Sequence, residues 1–238
     1  MPVADEARSL LDRVQSDLAR AASYYLNSAR AWRLIQALVR EGRHVDVFDV
    51  DSEKKADQEV IDTLSQQYVA EDLARATLER FVAILEDFLV NIQRLLLTDR
   101  PEKLSAKMMS LGDILSLPDK TAIVGRFIDR ELRDFAYEKP EDWFRQLESS
   151  EKLGCPTKEE ISQIAEAKAR RDILVHNRGV ANWVYAQKSG NLAAYGEGES
   201  VEVPASYLGD LGRLISKVLQ DMTQAIVEKH SRATSPPT

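Results

Sequence analysis

Arg171, Asp172 and His176 are the side chains of this chain best suited to chemistry. They place a guanidinium, a carboxylate and an imidazole within six consecutive residues. An arginine presents a rigid, permanently charged fork that fits phosphate oxygens. A histidine has the ordinary pKa closest to neutrality, so it moves protons there. Together the three side chains favour metal-free reactions of a phosphodiester.

The spacing of these residues restricts where such a site lies. On a straight helix, side chains five positions apart point about 140° away from one another, as those of Arg171 and His176 do. Asp172 and His176 are four apart, so they share a face and are able to hydrogen-bond. One helix therefore does not direct Arg171 and His176 at a single atom, but two helices that meet across a two-fold axis do. We predict a composite site at a dimer interface, with the apolar residues 173–175 holding the helix in place.

Further polar and basic residues surround this group. Lys168, Arg170 and Arg178 add positive charge, and Asn177 follows His176 directly. The formal net charge of the chain is −7, which opposes unspecific coating of nucleic acid. Contact with RNA therefore requires this local basic cluster.

Helical periodicity runs along most of the chain, which contains only ten Gly and eight Pro residues. Apolar residues recur every three or four positions from Asp5 to about Arg40. This spacing predicts a long helix packed on its own domain, in a hairpin or in a dimer. Further helices are predicted at residues 56–97, 103–115, 119–136, 141–153 and 205–229, and one more runs from residue 158 through His176. Residues 180–198 are predicted to be irregular, and the fold class is all-α.

Two of these helices carry additional signals. Residues 81–92 are apolar almost all round, so we expect a buried central helix. Thr157 and Glu160 form a capping-box pattern, in which Thr157 caps the helix that carries His176 and Glu160 reaches back. Residues 177–179 suit the end of that helix, because they include a glycine.

The composition indicates a soluble protein with a hydrophobic core, since 44% of the residues are hydrophobic and 30% are charged. Cys155 is the only cysteine. This excludes an intramolecular disulfide and a four-thiolate metal site, and is typical of a reducing compartment. No segment has the length and apolarity needed to cross a bilayer, and no secretory leader is recognisable. We expect a cytoplasmic protein without membrane association.

Three weaker features have simpler interpretations. Asp46, Asp49 and Asp51 lack the glycine and the closing glutamate of a calcium loop, so a solvated acidic connector is the better interpretation. Cys155 lies in a Gly-Cys-Pro turn without a base nearby in sequence, which makes a cysteine hydrolase a distant alternative. Residues 232–238 are polar and are expected to form a disordered tail.

The pattern that ends in His176 and Asn177 resembles the signature of HEPN domains, in which an Arg is followed by Asn, Asp or His and, after four to six residues, by His. Residues 77–97 are similar to the early core helix of that family. Residues 179–185 and 196–198 resemble the segment after the motif in HEPN proteins of bacterial toxin–antitoxin and abortive-infection systems. The resemblance covers residues 67–231 and leaves residues 1–66 as an N-terminal helical extension.

This resemblance implies a bundle of four to five helices and a homodimer whose Arg/His helices face each other. Many members are metal-independent endoribonucleases that leave a 2′,3′-cyclic phosphate. Carried over to this chain, Arg171 binds the scissile phosphate, His176 is the general acid or base, and Asp172 orients the imidazole. The other predicted contacts to RNA phosphates are Lys168, Arg170, Asn177 and Arg178. Arg170 lies six residues before His176, which also fits the spacing of the signature, so the resemblance leaves open which of the two arginines binds the scissile phosphate. Neither a cofactor nor a metal is expected.

Two functions from different classes fit these observations. The first is an endoribonuclease of a toxin or phage-defence system, which the intact set of Arg171, Asp172 and His176 favours. The second is a non-catalytic HEPN-like dimerisation or interaction module that binds a partner protein or a nucleotide. The acidic net charge favours the second function, as does the long N-terminal helix, which either extends the dimer or binds an antitoxin or another partner.

Overall fold

The computed structural model describes residues 2–45, 57–104 and 110–232. Its helices are α1 (Val3–Arg40), α2 (Gln58–Ser65), α3 (Ala74–Asp99), α4 (Leu111–Leu115), α5 (Lys120–Ala136), α6 (Pro140–Glu151), α7 (Lys158–His176), α8 (Trp183–Ser189) and α9 (Ala205–Arg232). The described residues contain no strand beyond an isolated antiparallel bridge between Val180 and Ser200. The predicted all-α class is therefore confirmed. The acidic connector of residues 46–51 and the tail from residue 233 lie outside the described residues.

Helix α3 forms the centre of the fold, as the apolar residues 81–92 predict. Leu78, Phe88 and Ile92 on α3 have no exposed surface. Helices α1, α5, α7 and α9 all pack against α3. An almost uniformly apolar helix satisfies its side chains only when other helices surround it, and this arrangement provides that. Among the described residues, no helix is both long enough and apolar enough to cross a membrane.

The two halves of α1 pack differently. Ala7, Leu10 and Val14 in the first half are buried in the core that α3 and α9 share. The second half packs against α2 and the residues after it, where the rings of Trp32 and Tyr68 meet edge to face at 5.7 Å. The predicted apolar seam therefore faces neighbouring helices along the whole length of α1.

The helix predicted at residues 56–97 is interrupted. A π-helical segment, Gln66–Leu73, joins α2 to α3. A π-helical turn contains more residues than an α-helical turn and shifts the face that the following residues present. The periodicity of the apolar residues does not reveal this shift, because Val69 within the segment is buried like its helical neighbours.

Helix α7 begins where the capping box predicts. Thr157 Oγ1 accepts a hydrogen bond from the Glu160 backbone N–H at 3.2 Å, and Glu160 Oε2 accepts one from the Thr157 N–H at 2.8 Å. Two N–H groups that lack a partner within the helix are thereby satisfied. The capping box thus fixes where α7 begins. The same helix carries Arg171, Asp172 and His176 near its other end, up to five turns further on.

The segment after α7 is more regular than predicted. Residues 180–198 contain the short helix α8, so the prediction of an irregular excursion is wrong for residues 183–189. Asn182 caps this helix, because its side-chain oxygen accepts a hydrogen bond from the Tyr185 N–H at 3.0 Å. An asparagine before an apolar residue is a helix-start signal, but the glycines and asparagines around Asn182 favour an irregular segment.

Candidate functional site

His176 is the last residue of α7 and lies at the protein surface. The helix stops because Arg178 and Gly179 adopt left-handed conformations, with φ values of 52° and 74°. The N–H groups of Asn177 and Gly179 both bond to the Ile173 carbonyl, at 2.9 and 3.1 Å. This confirms the predicted helix end and leaves the imidazole beside a tight reversal of the chain.

Arg171 is held by a carboxylate that the sequence analysis did not identify. Its Nη2 donates to Glu86 Oε1 at 2.8 Å, and Lys168 Nζ donates to the same oxygen. Glu86 belongs to α3, so the contact ties α7 to the central helix α3. The sequence does contain a signal for this contact: Glu86 is a charged residue within the apolar stretch 81–92. A charge on such a helix is expected to be partly buried and therefore requires a partner.

Asp172 and His176 have different surroundings. Asp172 Oδ2 accepts a hydrogen bond from Lys188 Nζ at 3.0 Å, and its Oδ1 lies 3.5 Å from Arg171 Nε. Within the described residues, the imidazole of His176 has no hydrogen-bond or ion-pair partner. The proposed role of Asp172 in orienting the imidazole stays a prediction, because the carboxylate binds Lys188 in this structure.

Arg170 lies on the inner side of α7. Its Nε donates to Glu166 Oε1 at 2.9 Å, and its Nη1 donates to the Glu202 carbonyl at 3.0 Å. The guanidinium stacks on the rings of Tyr207 and Tyr195, at 3.9 and 5.1 Å from their centres. Arg170 is thus occupied inside the fold, and of the two adjacent arginines Arg171 is the one placed to reach a ligand.

Glu166 is the centre of this inner network. Tyr185 Oη donates to Glu166 Oε1 at 3.0 Å, and Tyr207 Oη donates to Glu166 Oε2 at 2.6 Å. Burial raises the pKa of both phenols, and the negative charge of Glu166 raises them further. These bonds join α7 to α8 and to the start of α9. They therefore position the helix without presenting a group to solvent.

The other residues predicted to contact RNA, namely Lys168, Asn177 and Arg178, also differ in their surroundings. Lys168 lies with its Nζ 4.9 Å from the centre of the Trp143 ring, in addition to its contact with Glu86. Asn177 Nδ2 donates to the Val180 carbonyl and supports the chain reversal. Arg178 is exposed. Of the predicted set, Arg178 and His176 are exposed, whereas the other residues are buried or partly buried.

A groove of about 300 Å³ lies beside Asp172 on α7. It lies between the turn that joins α5 to α6 and the paired helices α7 and α8. Lys168 and Asp172 line it from α7, Lys188 lines it from α8, and Tyr137 and Lys139 line the opposite wall. The groove places a mixture of positive and negative charges next to the exposed end of α7.

An apolar patch flanks His176. Val175, Val180 and Trp183 are exposed large side chains, and the indole of Trp183 is 64% exposed. They fall within nine consecutive residues around the imidazole. Exposed apolar side chains beside a polar group are common at interaction surfaces, and these three side chains are called the apolar patch below.

Cys155 is poorly suited to nucleophilic chemistry. Burial and the carboxylates of Asp221, Glu148 and Glu160 raise the pKa of its thiol to about 11. The thiolate is the reactive form of cysteine, so little of it is present near neutral pH. The structure therefore weakens the cysteine-hydrolase alternative.

Comparison with protein-family models, with curated protein sequences and with solved structures finds no match to this chain. The resemblance to HEPN domains consequently stays a prediction that rests on residues 171–177 and the surrounding helices. Among the described residues, no group of three or more His, Cys, Asp or Glu side chains is arranged to hold a metal ion.

Proposed function

We propose that the protein is a metal-independent endoribonuclease of the HEPN type that acts as a homodimer through the end of α7. The observation that carries this proposal is the position of His176, whose imidazole is exposed, without a partner among the described residues, and flanked by the apolar patch of Val175, Val180 and Trp183. A second copy that covers this patch would bring two such imidazoles together. Burial of exposed apolar area is the general driving force of such association.

The reaction that we assign to this dimeric site is transesterification of RNA. The RNA 2′-oxygen attacks the adjacent phosphorus while the bond from phosphorus to the 5′-oxygen breaks, which yields a 2′,3′-cyclic phosphate and a 5′-hydroxyl end. His176 accepts the proton of the 2′-hydroxyl as general base, and the imidazolium that forms supplies a proton to the leaving oxygen as general acid. Arg171 stabilises the negative charge that develops on the phosphate oxygens.

Arg171 has to bind a phosphate for this reaction. Arg171 donates to Glu86 in the free protein, so a phosphate must displace that carboxylate or bind the same guanidinium beside it. The guanidinium has five N–H donors. Its Nε is buried and lies 3.5 Å from Asp172 Oδ1, whereas Nη1 forms no hydrogen bond within the described residues. Donors on Arg171 therefore remain for a phosphate oxygen even while the contact with Glu86 persists.

The test is cleavage of RNA by purified protein in excess EDTA. Wild type is expected to cut single-stranded RNA and to leave 2′,3′-cyclic phosphate ends. His176→Ala should lose roughly 100-fold or more of the rate, as is usual for a general acid–base residue. His44→Ala is the matched control, because His44 is exposed and lies outside the site. Equal rates for wild type and His176→Ala would refute the proposal.

A mixing experiment tests the dimeric character of the site. Arg171→Ala and His176→Ala are each expected to be inactive, whereas a mixture of the two should regain part of the wild-type rate, because a mixed dimer still carries one Arg171 and one His176. Trp183→Glu should prevent both dimerisation and cleavage, as measured by sedimentation and by product formation. A fully active monomer would exclude the composite site.

A non-catalytic dimerisation or interaction module that binds a partner protein or a nucleotide is the second candidate. The observation that favours it is that Lys168, Arg171 and Asp172 are all engaged in ion pairs within the chain. Such contacts suit a helix that is held in place as well as they suit a catalytic group. This candidate predicts that His176→Ala dimerises normally and that wild type leaves RNA intact.

A further inference from the structure

The second half of α1 presents an exposed face with a regular pattern. Leu26, Arg30, Arg33, Leu34 and Ala37 are all exposed and lie at intervals that place them on one side of the helix. Leu26 is 48% exposed and Leu34 is 61% exposed, although burial of a leucine side chain is favourable. These five residues are called the α1 strip below.

Packing among the described residues 2–45, 57–104 and 110–232 does not account for the α1 strip. Tyr25, Trp32, Ile35 and Val39 form the face of α1 that packs on the rest of the chain, and the directions of the two faces differ by roughly 150° around the helix axis. The inner face already makes the contacts that α1 needs, including the hydrogen bond from Gln36 Nε2 to Asp62 at 2.8 Å. The α1 strip is therefore a second apolar face of the same helix.

The charge of this region is opposite to that of the whole chain. Residues 18–40 contain four arginines and no acidic residue, whereas the chain has a net charge of −7. Arg20 pairs with Asp17, and Arg40 lies 4.0 Å from Asp62. Arg30 and Arg33 have no carboxylate partner among the described residues. Two unpaired positive charges thus lie between two exposed leucines.

We propose that the α1 strip binds an acidic amphipathic helix of a partner protein. Apolar residues of that helix cover Leu26 and Leu34, and its carboxylates pair with Arg30 and Arg33. Two helices that pack along one another usually do so through apolar residues, and charged residues at the edges of the contact select the partner. The proposal concerns α1 alone, and it holds whether or not His176 cleaves RNA.

Two other occupants fit the α1 strip less well. A second copy of this chain would bring Arg30 and Arg33 close to the same residues of its partner, and facing like charges oppose such pairing. RNA would be attracted by the arginines but would leave the leucines without a suitable contact, because proteins bind unpaired bases mainly with aromatic rings and arginine planes. Of these three occupants, an acidic partner helix with an apolar face is the one that satisfies both kinds of side chain.

The experiment uses two labelled helical peptides and the full chain. The acidic peptide repeats Leu and Glu on one face, and the matched basic peptide has Lys in place of each Glu. Fluorescence anisotropy should show that wild type binds the acidic peptide and not the basic one. The variant Arg30→Glu/Arg33→Glu should bind the acidic peptide roughly tenfold or more weakly and should now bind the basic peptide.

Arg126→Glu is the control for charge reversal elsewhere, since Arg126 is exposed on α5, and it should behave as wild type. Leu34→Ser should weaken peptide binding while it leaves the thermal unfolding curve unchanged. The proposal is overturned if wild type binds neither peptide or both equally. It is also overturned if the double charge reversal abolishes binding of oligouridylate instead of peptide, or if Leu34→Ser converts a dimer into a monomer.

Discussion

Arg170 and Arg171 are neighbours on α7, but their side chains lie in different surroundings. Arg170 belongs to the inner network with Glu166, Tyr185 and Tyr207, and only 5% of its side chain is exposed. Arg171 belongs to the outer site with Asp172 and His176, and 20% of its side chain is exposed. Both are paired with a glutamate of the same protein. The comparison shows that the contact partner does not distinguish a structural arginine from a candidate ligand-binding one, whereas the degree of burial does.

The difference follows from helix geometry. Consecutive side chains on a helix point about 100° apart, so one arginine of the pair faces α9 while the other approaches the solvent boundary beside Glu86. A buried ion pair that loses one partner leaves a charge without solvation, which costs far more than the loss of an exposed pair. The two arginines are therefore expected to differ strongly in what their removal does.

Removal of Arg170 should have the largest effect on stability. Arg170→Ala leaves the carboxylate of Glu166, which is 5% exposed, without its positive partner, and the free energy of unfolding should fall by about 3–5 kcal/mol. Arg171→Ala should lower it by about 1 kcal/mol or less, because its contact with Glu86 is partly solvated. Urea denaturation of both variants measures the difference. Similar losses for the two variants would remove the distinction between the inner network and the outer site.

The hydroxyl of Tyr207 should have an intermediate effect with a characteristic pH dependence. Tyr207→Phe keeps the ring on which Arg170 stacks and removes the hydrogen bond to Glu166, so stability near neutral pH should fall by about 1–2 kcal/mol. Burial raises the pKa of this phenol above its ordinary value of 10.0. Below that value both states hold the proton, and above it the unfolded chain releases its proton first, so wild type loses stability as the pH rises.

Unfolding measurements between about pH 8 and about pH 11 test this dependence. The decline in stability should be shallower for Tyr207→Phe than for wild type, because one phenol no longer contributes. Tyr137→Phe at a largely exposed position is the control for the loss of a phenol. Parallel curves for Tyr207→Phe and wild type would show that Tyr207 is not held in its neutral form by the inner network.

Much of the framework of α7 could be predicted from sequence, because it depends on local signals. The capping box of Thr157 and Glu160 and the stop at residues 177–179 follow from hydrogen bonds between residues near one another in the chain. The apolar residues 81–92 likewise predict the buried central helix. The division of labour between Arg170 and Arg171 was not predictable, since it depends on how the whole helix is rotated against α3 and α9.

Glu86 shows the same limit for the site. It lies 85 residues before Arg171, and no local pattern connects two positions so far apart. Asp172 was predicted to act on His176, four residues later, because helical spacing permits that contact. The structure instead provides Lys188 from α8, and α8 itself was expected to be irregular. Contacts between distant elements thus decide which of several locally permitted pairs forms.

The smallest expected effect on stability comes from Glu86, and it tests the outer site most directly. Glu86→Gln keeps the size of the side chain and removes the negative charge that Lys168 and Arg171 share. Stability should change by less than about 1 kcal/mol, because the three side chains are partly solvated. Affinity for an uncleavable 2′-O-methyl RNA should rise severalfold, since the two cations no longer have a competing carboxylate. Filter binding at two salt concentrations measures this gain in affinity, which should shrink as the salt concentration rises.

A gain that Arg171→Ala abolishes in the Glu86→Gln background would assign the phosphate contact to Arg171. Unchanged affinity together with a stability loss as large as that of Arg170→Ala would instead place Arg171 among the structural residues, and the outer site would then be an extension of the inner network.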